Sequence, residues 1–116
     1  MDQPPTDITL HQRSQVLEFA YSDEERYRLS AEFLRVHSPS AEVQGHGPGQ
    51  RVLQTGKRDV RIEAIEPVGQ YGIKLIFSDG HDTGIYTWKH LRELGSAMDS
   101  KWREYLQALE AAGAER

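Results

Sequence analysis

The chain has 116 residues, a length suited to one domain with a modest core. Its 18 acidic and 14 basic residues give a formal charge of -4, which disfavours nucleic acid and anionic membranes, since both select a positive surface. There is no cysteine, so disulfides, thiol catalysis and thiolate-held zinc or iron–sulfur clusters are excluded.

Residues 1–7 carry Pro4 and Pro5 without periodicity and read as a flexible tail. They show no basic-then-apolar secretion signal and no arginine, and no later stretch approaches the roughly 20 apolar residues of a membrane span. A cytoplasmic location is the expectation. Ile8–Leu10 reads as a short edge strand. Gln15–Tyr21 alternates Val16, Glu18 and Ala20 with Leu17, Phe19 and Tyr21, the pattern of a strand. A polar turn, Ser22-Asp23-Glu24-Glu25, leads to a returning strand over Arg26–Leu29. Ser30 then caps a short helix, Ala31–Val36.

His37–Arg58 has little apolar periodicity and reads as a long loop, of the kind that is functional or disordered. Asp59–Glu66 reads as a strand, followed by a turn at Pro67-Val68-Gly69-Gln70. Ile73–Phe77 is a strand, Ser78-Asp79-Gly80-His81 a hairpin turn with a strong Asp-Gly signal, and Thr83–Tyr86 the returning strand. Thr87 caps a helix over Trp88–Leu94, which Gly95 can end. Met98, Trp102, Tyr105, Leu106, Leu109 and Ala112 fall at helical spacing. Ser96 and Asp99 form a candidate capping box for that helix and Gly113 a candidate terminator. Phe19-Ala20-Tyr21-Ser22-Asp23 aligns with Leu75-Ile76-Phe77-Ser78-Asp79, and Leu29-Ser30 with Tyr86-Thr87. The alternatives are a true hairpin-plus-helix repeat and the shared look of any hairpin before a capped helix.

Little of the sequence carries a catalytic pattern. Gly45-x-Gly47-x-Gly49 lacks the strand and helix of a dinucleotide fingerprint and the Gly-Lys-Ser/Thr of a phosphate loop, and Pro48 removes a backbone donor. It is either a connector or a partner- or ligand-closing loop. His11, His37, His46, His81 and His90 show no helical zinc spacing, and no His-x-Asp opens an iron facial triad. Ser38, Ser40 and Ser78 have no nucleophile-elbow context. Lys57, Arg58 and Arg61 form a small basic cluster suited to an acidic partner.

Three stretches carry a family resemblance. They are Phe33 to Gly47 (FLRVHSPSAEVQGHG), Glu66 to Tyr71 (EPVGQY) and Phe77 to Trp88 (FSDGHDTGIYTW). Together they resemble the stand-alone bacterial members of the γ-butyrobetaine hydroxylase-like N-terminal domain family, also called DUF971, from about Pro5 to about Leu94. In the related carnitine-biosynthesis dioxygenases this domain precedes a catalytic jelly-roll domain and holds a structural zinc through three cysteines and one histidine. The resemblance places the cysteine positions on Ser38, Ser40 and Val43 and the histidine on His81. It therefore implies that the family's structural zinc is lost here, that no cofactor is required, and that the dioxygenase chemistry belongs to a domain not in this sequence. The domain also occurs joined to P-loop ATPases of the iron–sulfur carrier type, which implies an accessory role.

The fold class expected is α+β: a mostly antiparallel, twisted sheet from two hairpin-plus-short-helix units over residues 8–95. An amphipathic helix, residues 96–113 of the same domain, packs on it. The expected function is a non-enzymatic interaction module, accessory to metal or iron–sulfur metabolism, with another protein as partner. The alternative is a weak zinc or iron site using His37, His46 and His81. Arg35, Ser38, Ser40, Gln44, Asp79 and Asp82 are the candidate partner surface.

Overall fold

The computed structural model describes residues 3–22, 24–45, 47 and 49–116. The first unit is an antiparallel meander of β1 (Asp7–His11), β2 (Val16–Ala20) and β3 (Arg26–Ser30), followed by α1 (Ala31–Val36). The second repeats that order with β4 (Ile62–Val68), β5 (Gly72–Phe77), β6 (Ile85–Thr87) and α3 (Trp88–Ser96). Between the units lies a short helix, α2 (Ala41–Gln44), and the chain closes with α4 (Met98–Ala112). The fold is α+β and antiparallel throughout, with the strands divided into two three-stranded sheets.

Alternation in the strands builds the core. Leu17, Phe19 and Leu29 of the first sheet and Ile62, Ile73, Leu75, Phe77 and Tyr86 of the second are buried together with Leu34, Leu91 and Leu94 from the helices. Both units thus share one apolar core, so neither half has a core of its own. Both helices start as the sequence indicates: the Ser30 side chain accepts the Phe33 N–H and the Thr87 side chain accepts the His90 N–H.

Gln15 joins the units. It stands before β2 with φ 55, in the left-handed region, and is buried. Its Oε1 accepts the Ile62 backbone N–H at 2.7 Å, which fastens the start of β4 to the β1–β2 turn. The tail expected over residues 1–7 is already engaged at Thr6, whose N–H donates to the Ala20 carbonyl at 2.7 Å.

Several local expectations shift. Pro67 and Val68 belong to β4, paired with Ile73 and Gly72, so the turn is shorter than the four residues expected. The returning strand after the Asp79-Gly80 turn begins at Ile85, not Thr83. Gly95 lies inside α3 rather than ending it; a Cβ there would come within 2.5 Å of the Tyr27 ring, so the glycine serves a helix-on-strand contact. Ser96 does not cap α4: its hydroxyl donates back to the Glu93 carbonyl, and Ala97 occupies the cap without a side-chain bond. Gly113 ends α4 in the left-handed conformation, as its sequence position indicates.

The C-terminal helix reaches the main core through Met98 and Trp102. Beyond that, Tyr105 and Leu109 pack with Val36 of α1, and Leu53 joins them. Arg116 makes two bonds to the buried Glu32 of α1, at 2.7 and 3.0 Å, and fixes the end of the chain. Among the described residues no helix is long and apolar enough to cross a membrane.

Candidate functional site

The resemblance directs attention to one corner, where the end of α1, α2 and the 78–84 connection meet. Ser38 Oγ lies 2.8 Å from Nε2 of His81, and Nδ1 of His81 lies 3.0 Å from Oε2 of Glu42. The carboxylate accepts, so Nδ1 carries the proton and Nε2 accepts the Ser38 hydroxyl. Burial, with the Arg35 charge next, lowers the His81 pKa, outweighing the pull of Glu42, so the ring is neutral at pH 7. Ser38 Oγ also accepts the Ser40 N–H at 3.2 Å, and its carbonyl accepts the Gln44 side-chain amide at 2.8 Å. Ser40 Oγ accepts the Glu42 N–H as the N-cap of α2 and lies 2.7 Å from the Thr83 hydroxyl.

A second set of bonds extends the corner. Asp79 Oδ2 accepts from Arg35 Nε at 2.9 Å and Lys57 Nζ at 2.8 Å, and Oδ1 accepts the His81 N–H at 3.2 Å. Burial works to raise the Asp79 carboxyl, but the bonds from Lys57, His81 and Arg35 prevail and hold its pKa at about 2. Arg35 also donates to the Gln54 side chain at 3.0 Å. Side chains of four segments are therefore tied together: residues 35–44, Gln54, Lys57 and 79–83.

This corner explains the long β5–β6 connection. The Ser78–His81 turn itself closes: the Gly80 N–H donates to the Phe77 carbonyl at 3.1 Å and the Phe77 N–H to the His81 carbonyl at 3.0 Å. The chain then runs on to Ile85, and His81 turns inward, with 5% of its surface exposed. Gly84 faces the same knot: a Cβ there would meet Ser38 Oγ at 2.3 Å and Pro39 Cδ at 3.2 Å. Val43, at the remaining cysteine-equivalent position, is buried and apolar.

Hydroxyl, imidazole and carboxylate stand here in the order of a hydrolase relay, but the environment is wrong for one. Ser38 is fully buried, its oxygen already accepts a backbone N–H, and Gly84 and Pro39 close over it. A nucleophile must meet an acyl carbon, and this one meets packed protein.

The sequence candidates separate in the structure. His81 lies in the corner. His37 is buried elsewhere, stacked on Phe33 with ring centroids 4.4 Å apart and near Tyr105 of α4. His46 and Pro48 lie outside the described residues, so the Gly45-x-Gly47-x-Gly49 loop is described only in part, as is the Ser22–Glu25 turn at Asp23. Among the described residues no group of three His, Cys, Asp or Glu side chains is placed to hold a metal ion. Of the candidate partner surface, Arg35, Ser38 and Ser40 are buried, so they support the surface rather than form it. Gln44 is half-buried, and Asp82 is exposed. Sequence reasoning missed Glu42 and α2; the signal available was Ser40 followed by Ala41-Glu42, an N-cap with an acid in the first turn.

The fold and this corner define a small non-barrel α+β module in which hydrogen bonds cross-link the segments. The sequence matches the family model "Gamma-butyrobetaine hydroxylase-like, N-terminal" over residues 8–92, and the chain belongs to that family. Two proteins known from NMR solution structures are similar over nearly the whole chain. One is 52% identical, with a TM-score of 0.86, covering 98% of this chain and 90% of its own. The other is 48% identical, with a TM-score of 0.83, covering 99% and 86%. A crystal structure of a DUF971-family protein of unknown function from Acidithiobacillus ferrooxidans is 40% identical, with a TM-score of 0.66, covering 78% of this chain and 91% of its own. Among curated proteins none matches at a significant level.

Proposed function

We propose that this chain is a non-enzymatic binding module, accessory to metal or iron–sulfur metabolism, that presents the face over the Ser38–His81–Glu42 corner to another protein. The observation carrying this reading is that four segments are cross-linked there by side-chain bonds while, among the described residues, the one hydroxyl beside an imidazole in the knot is fully buried. Such an arrangement holds a surface in shape and offers no reacting group to solvent. Glu42, Asp82 and Thr83 are exposed at its rim and give the face an acidic edge, suited to a partner with basic groups.

Site-specific photo-crosslinking in the source cells tests this. A crosslinking amino acid in place of Glu42 or Asp82 is expected to give a discrete product with one protein, and the same group in place of Lys89, which is exposed on α3, is expected to give none. Absence of a product at both rim positions, or an equal product at Lys89, contradicts the reading. The chain alone is also expected to release no succinate from 2-oxoglutarate with iron, ascorbate and a carnitine precursor; release above background would make it an enzyme.

A further inference from the structure

A cavity of about 320 Å³ lies between the 51–54 segment and α4, with the end of α1 at its floor. It shares Gln54 with the His81 corner but includes none of the knot's hydroxyl, imidazole or carboxylate groups. We propose that it binds a small organic monoanion: a carboxylate on an apolar body that carries one hydrogen-bond donor. This goes beyond the protein-binding role and does not depend on it.

The ligand class follows from the walls. Leu53 and the buried Tyr105 give an apolar surface, and the Tyr105 hydroxyl is already engaged, donating to the Gln54 carbonyl at 2.8 Å. Arg51 and Lys101 line the cavity from opposite elements, and neither forms an ion pair with a described residue. Glu104 is the one carboxylate in the lining. Two cations against one anion leave a single positive charge for a monoanion to neutralise. The ligand's carboxylate pairs with that excess at Arg51 and Lys101. In a chain of net charge -4, such an excess is local and selects by position rather than by long-range attraction.

His37 supplies the polar group at the floor. It is 3% exposed and lines the cavity. Its Nδ1 lies 2.9 Å from the Phe33 carbonyl, which can only accept, so Nδ1 carries the proton and Nε2 the lone pair. No described residue bonds Nε2. The one fully enclosed side-chain nitrogen or oxygen without a partner among the described residues is Nε2 of His90, so Nε2 of His37, on a ring that lines the cavity, is not fully enclosed. Burial, helped by the charges of Arg51 and Lys101, lowers the His37 pKa to about 4, so the lone pair is available at pH 7. A ligand hydroxyl or N–H can donate to that nitrogen in place of solvent. Cavities of this size, mostly apolar with a few aimed polar groups, are the usual form of small-molecule sites.

The probe is 4-hydroxyphenylacetate, titrated into 15N-labelled protein to about 10 mM, a range that detects weak fragment binding. The counterpart is tyramine, which keeps the ring and hydroxyl but carries the opposite charge. Saturating amide shifts are expected at His37, Leu53, Lys101 and Tyr105 with the acid and not with the amine. R51Q/K101Q is expected to weaken the acid at least about tenfold, each single variant by less, and R103Q, on α4 outside the cavity, not at all. The proposal is overturned by absence of saturating shifts, by shifts centred elsewhere, by equal binding of tyramine, or by unchanged affinity in R51Q/K101Q. Any of these outcomes leaves the crosslinking result at Glu42 and Asp82 to be read by itself.

Discussion

Two buried histidines of this chain are held in opposite ways. His81 has both ring nitrogens engaged, one with Glu42 and one with Ser38, inside a knot of side chains. His37 has one nitrogen on its own helix, at the Phe33 carbonyl, and the other without a partner among the described residues, on a ring that lines a cavity. Burying an imidazole is inexpensive only when its polar atoms are satisfied. The first arrangement therefore belongs to architecture, and the second leaves an interaction for something else to complete. Similar burial thus separates into two roles once each nitrogen is followed to its partner.

The largest expected effect comes from breaking the fully satisfied ring. H81A strands the Ser38 hydroxyl and opens a void in the knot, at an expected cost of about 3 kcal/mol in urea unfolding. H37Q, whose amide can still donate locally, is expected to cost about 1 kcal/mol. Equal losses from the two substitutions would erase the contrast.

Acid sharpens the comparison from the other side. The folded pKa of His37, about 4, lies below its unfolded value, so folding excludes a proton that the unfolded chain binds. Above about pH 6.5 both states are neutral and the residue has no effect; stability falls as pH drops from there towards 4, by about 2–3 kcal/mol from His37 at pH 4.5. His81 and His90, also lowered by burial first, add in the same direction. Asp79 does not confuse this window. Its pKa is depressed to about 2, so its stabilisation is complete above the unfolded value of about 3.9 and is lost only below it. Urea midpoints between pH 7 and 4.5 are expected to fall in the parent and to fall less in H37Q. A parent that is as stable at pH 4.5 as at pH 7 would show that the ring is protonated without cost.

The smallest expected effect is that of a chelator. Hydrogen bonds join the segments at Ser38, Ser40 and His81, so folding is expected to need no metal, and melting temperatures with and without EDTA are expected to agree within about 1 °C. A drop of several degrees would mean that the corner is completed by an ion after all.

What could be read from the sequence was local. Ser30 and Thr87 cap their helices because a cap needs only its own first turn. The strands of both units follow the alternation of apolar residues for the same reason. Some misreadings are local, as at Ser96, which lies inside α3 and bonds back to Glu93 instead of capping α4; others fall where a distant residue decides. Gly95 resembles a helix terminator, but the Tyr27 ring in β3 is what requires it. The Asp79-Gly80 turn forms as read, but the strand after it starts only at Ile85, where the preceding segment is tied through His81 and Thr83 to Ser38, Glu42 and Ser40. Resemblance to the family paired His81 with Ser38, and no spacing rule would have done so. Glu42 escaped notice because its role exists only once α2 forms. The cavity was invisible for a related reason: Arg51, Lys101 and Tyr105 come from separate segments and carry no common motif. Placing His37 with His81 in one site reflected their common neighbourhood in the sequence motifs, and their side chains part company in the fold.

The most direct test of the division between the two histidines is a long-range 1H–15N spectrum of the imidazole rings, recorded at pH 7 while 4-hydroxyphenylacetate is added. Both rings are expected to begin as neutral Nδ1–H tautomers. The Nε2 signal of His37 is then expected to move with saturation while both nitrogens of His81 stay in place. Movement of His81 with His37 unchanged, or a charged ring at either position before ligand is added, would contradict the assignment of architecture to one and binding to the other.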